Sequence, residues 1–318
     1  MSRPVTPPAT YGDVTGEYVS LWRGAAVVEG LHDVVWVRGP DAVEFLDGLV
    51  SQSISSLEPG MAAPSLLLSP QGKLRATLWV LRAHEAVGLV VDAGRGEIVA
   101  GDLGRFRIRV AVEITPGSEP VVAVIGPEGA ALVAEAPAPA TWVAGGEGVV
   151  VAHLPFRLGG PPRIVVIGAD LAEAPRAGRQ AYDALRIEVG EPVMGIDLDD
   201  TTIAQEADLV DGAVDFAKGC YLGQELIARI DSRGHVNRRL RGVVVRTNVL
   251  PPPGARVVAD EVTVGTLTSV AESLELRAPV GLAVVRREVE PGTAVTVEWD
   301  DGGAAPAVVA SLPLHGGR

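Results

Sequence analysis

Apolar residues two apart, and others three or four apart, divide this chain into many short strands and a few helices. The first stretch holds Pro4, Pro7 and Pro8 without any period and reads as a flexible tail over residues 1–16. A buried strand is predicted at 34–37. Gly39-Pro40-Asp41 then opens a helix whose apolar face is Ala42, Phe45, Leu46, Leu49 and Val50, and Pro40 suits its first turn. Strands follow at 65–68, 74–81 and 87–91, with a hairpin through Pro70-Gln71-Gly72. A helix at 97–106 and a strand of alternating character at 108–114 complete a first unit. From Pro116 the rhythm repeats, with a strand at 121–125, a helix at 127–135, an Ala/Pro loop to 140, strands at 148–152 and 163–167, and a helix at 180–189 closed by Gly190. Beyond Leu240, short valine-rich strands at 242–246, 256–258, 262–267, 280–286 and 294–299 predict a small barrel.

On the helix at 180–189, Tyr182 and Arg186 are four apart and Leu185 and Glu188 three apart, so a polar stripe adjoins an apolar one. A glutamate at a helix carboxyl end opposes the helix dipole, so Glu188 either has a partner or is solvated. The acidic stretch 197–211 lacks the glycine and terminal glutamate of an EF-hand loop; it reads as a solvated loop, and calcium is a weak reading.

The 318 residues are 47% hydrophobic, enough for two or three folded domains. The 27 basic and 40 acidic residues leave a net charge of −13, which offers no general attraction for nucleic acid or an anionic membrane. No apolar run is long enough to span a bilayer and the amino terminus is unlike a secretory signal, so a cytoplasmic protein is expected. One cysteine excludes an intrachain disulfide, and no Cys/His spacing suits zinc, so no metal site is expected. Arg229, Arg233, Arg238, Arg239 and Arg241 form the one basic cluster, read as an anion site for a small ligand or as a solvated surface.

The cysteine lies in Asp215-Phe216-Ala217-Lys218-Gly219-Cys220-Tyr221-Leu222-Gly223-Gln224-Glu225. A strand at 213–217 and a helix from Gln224, with Leu226, Ile227 and Ile230 at helical spacing, would put Cys220 in a strand-to-helix turn. Gly219 and Gly223 permit positive φ, and Lys218 and the helix amino terminus would both favour a thiolate. On that reading Cys220, Lys218, Gln224 and Glu225 are the candidate reactive group. The alternative is an inert, buried cysteine.

Lys-Gly-Cys-Tyr-Leu-Gly-Gln-Glu resembles the K-G-C-[FY]-x-G-Q-E signature of the YgfZ family, folate-binding relatives of the glycine-cleavage T-protein implicated in making or maintaining iron–sulfur enzymes. The likeness extends to Gly39-Pro40-Asp41-Ala42 with Phe45-Leu46, to Pro70-Gln71-Gly72-Lys73, and to Arg186-Ile187-Glu188-Val189-Gly190 with Pro192 and Gly195. It implies an α+β fold: two interlocked ferredoxin-like domains, here 17–115 and 116–239, and a carboxyl-terminal β-barrel at 240–318, around a central channel for tetrahydrofolate or a related reduced folate. It further implies that Glu188 recognises the pterin ring, a carboxylate accepting two parallel N–H bonds. Tyr182 would stack on the ligand, or else be a core tyrosine, and Arg229 belongs to the same ligand set. T-proteins carry an acidic pair after the first hairpin, one member of which is needed for aminomethyl transfer, and Arg75 and Ala76 stand there in this chain. The resemblance thus implies an accessory protein acting through Cys220 on iron–sulfur client enzymes or assembly proteins. The alternative is a folate-dependent aminomethyltransferase or other one-carbon transferase.

Overall fold

In the computed structural model, which describes residues 7–300 and 302–314, the chain begins in one sheet, crosses to another and returns. Helix α1 (Val14–Arg23) and strand β1 (Ala26–Glu29) come first. Then follow β2 (His32–Arg38), α2 (Ala42–Asp47), β3 (Ala62–Leu68), β4 (Leu74–Arg82), β5 (Ala86–Asp92), α3 (Gly96–Gly104) and β6 (Glu113–Pro116). Strands β2 to β6 form an antiparallel sheet in the order β3-β4-β5-β2-β6, and β1 stays outside it. It pairs instead with β7 (Val121–Ile125), at the edge of a second sheet ordered β1-β7-β10-β9-β8 and completed by β8 (Thr141–Ala144), β9 (Val150–His153) and β10 (Arg163–Ile167). The first strand of the chain thereby locks the two units together.

The sheets meet face to face through Val34, Ala62, Leu81 and Val90 on one side and Val150, Ala152, Val165 and Ile167 on the other. Helices α2 and α3 cover the opposite face of the first sheet, burying Phe45, Leu46, Val99 and Leu103 against Val35, Val37 and Leu89. Helix α4 (Arg179–Glu188) and α1 pack between the second sheet and the barrel, where Tyr18, Leu21, Leu185 and Ile187 join Val280 and Leu282. After α5 (Gln224–Arg233), strands β11 (Arg238–Val245), β12 (Arg256–Ala259), β13 (Val262–Ser273), β14 (Ala278–Arg286), β15 (Ala294–Glu298) and β16 (Ala304–Ala310) close into a barrel ordered β11-β14-β13-β12-β15-β16. Closure removes exposed sheet edges and concentrates the valines in one core.

Several local expectations are corrected. From residue 7 the amino-terminal stretch is docked: Pro8 and Ala9 carbonyls accept the amides of Arg179 and Gln180, and Val14–Arg23 is helix α1. The buried carboxylate of Glu17 accepts the Gly178 amide at 2.8 Å and the Thr10 hydroxyl at 2.7 Å, which holds the segment on α4 despite its prolines. The strand expected at 108–114 begins only at Glu113, where β6 pairs with Val35 to Arg38 of β2, and residues 105–109 before it are exposed. The helix expected at 127–135 shrinks to a 3-10 turn, Gly129–Leu132. No strand forms at 213–217; Ala213 and Val214 are buried by packing against Leu66 and Leu68, and the Ser51 hydroxyl donates to the Ala213 carbonyl at 2.6 Å. The acidic stretch is also not simply solvated. Asp197 is fully buried against Arg186, and Glu206 is buried beside Arg238.

Candidate functional site

Where the two sheets part, opposite α4, they leave a cavity of ≈ 380 Å³. Its walls mix apolar and polar groups in the proportion expected of a small-molecule site: Trp79, Phe156 and Tyr182 supply rings, and His32, Thr77, Asp92, Arg163 and Glu191 supply polar contacts. Strand alternation explains the polar set. Along β4, Thr77, Trp79 and Leu81 share the face toward the second sheet, and across the ladder His32 of β2 stands directly opposite Asp92 of β5. The Thr77 hydroxyl donates to Asp92 Oδ2 at 3.1 Å and the Met194 amide donates to the same oxygen at 2.9 Å.

Burial raises the Asp92 carboxyl to about 6, against the pull of these two hydrogen bonds. Burial and then the charge of Arg163 push His32 down to about 3, so its ring is neutral at ordinary pH. Its Nε2 is buried with no hydrogen-bond partner among the described residues. Arg163 is committed to the protein, donating to the Leu154 carbonyl at 2.8 Å and to Glu191 at 3.1 Å with its guanidinium 4.3 Å from the Phe156 ring. Tyr182 is 4% exposed, and burial raises its hydroxyl to about 12.

The residues singled out in the sequence do not gather at one place. Tyr182 lines the cavity. Glu188 does not; six residues farther along α4 it turns toward α1 and the barrel, where it accepts the Tyr18 hydroxyl at 2.8 Å and the Ser273 hydroxyl at 2.5 Å. Arg186, on the same helix, is buried in an ion pair with Asp197 at 2.8 Å. Arg229 is exposed on α5, and Arg238 pairs with Glu206, so the basic cluster is outside the cavity.

Cys220 is exposed. Lys218 does not turn toward it: the lysine side chain is 4% exposed, and its ammonium donates to the carbonyls of Asp47, Val50 and Gln52 at 2.8, 2.8 and 2.7 Å. The lysine therefore closes the carboxyl end of α2, and burial lowers its pKa despite Asp47 nearby. Gln224 accepts the Tyr221 amide at 3.3 Å, and Glu225 is exposed in the first turn of α5. Gly223 has φ +78 while Gly219 does not take a positive φ, so only one of the two glycines is needed for its conformation. Arg75 pairs with Asp102 at 2.7 Å and Asp200 at 2.5 Å, and neither Arg75 nor Ala76 lines the cavity.

Asp92, His32, Arg163 and Glu191 escaped the sequence reading. The strand read from residue 34 starts two residues after His32, and the strand read as ending at residue 91 stops one residue before Asp92. Register, which alone brings those two side by side, cannot be read from either segment.

Residues 238–315 match the glycine cleavage T-protein C-terminal barrel domain. An aminomethyltransferase of Bordetella petrii is 30% identical over 345 residues, covering 97% of this chain and 90% of that protein. The chain belongs to the aminomethyltransferase family. The aminomethyltransferases of Rubrobacter xylanophilus and Streptomyces coelicolor are 28% and 26% identical, each over 97% of this chain and over 88% and 91% of their own lengths. The glycine cleavage system aminomethyltransferase T of Bartonella henselae superposes with a TM-score of 0.87, covering 97% of this chain and 91% of that one at 21% identity. The fold is thus T-protein-like, α+β with a closed six-stranded barrel. Membership is of this wider family; the narrower YgfZ branch rests on the cysteine-loop motif.

Proposed function

We propose that the cavity between the sheets binds a reduced folate such as tetrahydrofolate and that this family member works in folate-dependent one-carbon chemistry. The observation that carries the reading is the lining of the ≈ 380 Å³ cavity: aromatic rings of Tyr182 and Trp79 beside a hydrogen-bonding floor of Asp92 and His32. A flat, donor-rich heterocycle suits such walls, since rings stack on rings and buried acceptors need donors. Family membership supports a one-carbon transferase. Calorimetry with tetrahydrofolate under argon tests the binding, with Tyr182→Ala expected to weaken it several-fold. Wild-type protein that shows no heat at millimolar ligand would overturn the reading.

A second reading rests on β4 and Cys220. Without an acidic pair at Arg75 and Ala76, and with Thr77 as the next residue into the cavity, β4 brings no carboxylate to the ligand. The one thiol stands exposed at the end of a loop held by Lys218. These features favour a folate-binding accessory protein that reaches iron–sulfur clients through Cys220. Reconstituted glycine cleavage separates the two: turnover with the companion proteins supports transfer. No turnover, together with Cys220-dependent rescue of an iron–sulfur enzyme in cells lacking this protein, supports the accessory role.

A further inference from the structure

The first sheet ends in an open edge at β6, and the residues leading into that edge are unlike the rest of the surface. Strand β6 pairs with β2 alone, Glu113 standing opposite Arg38 and Pro116 opposite Val35. The Gly117 amide donates to the Val34 carbonyl at 2.8 Å, so in this antiparallel ladder Thr115 and Glu113 also bond to β2 while the backbone groups of Ile114 face away from it. Pro116 has no amide, which ends the edge on that side. Ahead of β6 runs Arg105-Phe106-Arg107-Ile108-Arg109, exposed throughout, and Ile108, at 73%, is the most exposed large apolar residue among the described residues. Arginines alone would guard a sheet edge against unwanted pairing. Phe106 and Ile108 standing exposed between them do not fit a guard; apolar side chains rimmed by charge mark an interaction surface.

The arginines are also uncommitted. Arg105 is 3.3 Å from Asp102 and Arg38 lies over the Trp36 ring at 5.0 Å, but Arg107 and Arg109 have no carboxylate within ion-pairing distance among the described residues. Arg38, Arg107 and the 110–113 segment line a shallow groove of ≈ 600 Å³, with Glu113 its one carboxylate. That groove is preformed: the Ala111 amide donates to Asp41 Oδ2 at 2.6 Å, and Gly39 lies so close that a Cβ on it would overlap the Ala111 carbonyl oxygen.

We propose that this edge takes an extended, carboxylate-rich segment of a partner protein as an added strand, its backbone paired with Ile114 and its acidic side chains on Arg38, Arg107 and Arg109. The net charge of −13 does not oppose a short segment, because at physiological ionic strength charges more than about 8 Å away are screened. A long polyanion would meet the whole surface. The edge is also separate from the cavity: His32 and Arg38 are the two ends of β2, roughly 20 Å apart by the rise of a strand, and no groove residue lines the cavity. The proposal therefore stands or falls independently of the folate reading.

The test uses the full chain and a fluorescein-labelled probe, the acetylated heptapeptide Glu-Val-Glu-Ile-Glu-Val-Glu, in fluorescence anisotropy at low and physiological salt. Wild type is expected to bind it, more weakly as salt rises, and not to bind the same peptide with lysines for glutamates. N-methylating alternate probe residues should weaken binding about tenfold in one register and leave it within about twofold in the other, because only one set of amides faces β6. Arg107→Glu and Ile108→Ser, at exposed positions and with folding checked by circular dichroism, should each weaken binding several-fold. Equal loss in both registers, or folded Arg107→Glu binding as well as wild type, overturns the proposal. So does an absence of binding by wild type, or a dimer in sedimentation that Ile108→Ser dissolves, which would put a second copy on the edge. Binding of double-stranded DNA or phosphatidylglycerol vesicles that is lost in the same variants overturns it too, making the arginines a site for polyanions.

Discussion

Gly72 and Gly223 occupy one another's side-chain space: a Cβ on Gly223 would lie 3.1 Å from the Gly72 Cα and 2.5 Å from the Ser69 carbonyl oxygen. The β3–β4 hairpin and the cysteine loop, far apart in sequence, are thus pressed backbone to backbone. Both glycines also hold positive φ, +76 and +78. Gly223→Ala therefore combines left-handed strain of roughly 1–2 kcal/mol with overpacking of roughly 1–3 kcal/mol. A loss of on the order of 2–5 kcal/mol in urea unfolding is expected. Gly219, with nothing within 4 Å of its would-be Cβ, should accept alanine nearly neutrally.

Lys218 makes three hydrogen bonds to the last carbonyl of α2 and to the Val50 and Gln52 carbonyls of the loop after it, all at 2.7 to 2.8 Å, from a side chain that is 4% exposed. Replacing it by methionine keeps the stem but leaves those carbonyls without their donor. Each hydrogen bond to a charged group is worth roughly 1.5–3 kcal/mol and the three share one cation, so Lys218→Met should cost about 3 kcal/mol. If chemical denaturation finds it neutral, the lysine is not the clasp between loop and α2.

Much of the fold was legible because its elements are periodic and short. The β3–β4 hairpin, the helix ending at Gly190 and the valine-rich barrel all follow from local pattern. The site was less legible. Glu188 follows Tyr182 by six residues on one helix, a rotation that carries it off the Tyr182 face, so the motif that named both could not say that only one meets the cavity. Lys218 looked like a partner for Cys220 because it is two residues away, whereas its three acceptors are more than 160 residues away in sequence. Asp92 and His32 become neighbours only through strand register.

Those two residues should pull stability in opposite directions with pH. The native carboxyl of Asp92 titrates at about 6 against an ordinary 3.8, so the folded state holds a proton the unfolded chain has lost. Its contribution therefore declines as pH rises from roughly 4 to 6, and Asp92→Asn should be more stable than wild type at pH 7.5, with no difference below pH of about 4. His32, at about 3 against 6.5, has the reverse sign: below 6.5 the unfolded chain gains a proton the native ring refuses, so stability falls as pH falls. His32→Gln should remove that slope. Thermal melts of both variants from pH 4 to 8 check the signs, and parallel curves for wild type and variants would refute both assignments.

Glu188 joins three elements that are remote in sequence, α4, α1 and the barrel, through Tyr18 and Ser273. The residue is 1% exposed, and burial together with the Glu188 charge raises the Tyr18 hydroxyl well above the ordinary phenol range. Removing the carboxylate strands two buried hydroxyls, each costing roughly 1–3 kcal/mol unless water enters. Glu188→Ala should therefore lose on the order of 2–4 kcal/mol of stability. Tyr18→Phe should lose about 1–2 kcal/mol, the range for one hydrogen bond to a charged acceptor with its remaining partners in place. Because the two residues touch, the double variant should lose less than the sum, a coupling that two independent packing sites would not show. Folate affinity of Glu188→Ala, measured below its melting temperature, should stay within a few-fold of wild type. Affinity lost in proportion to neither stability nor helicity would mean that Glu188 meets the ligand directly.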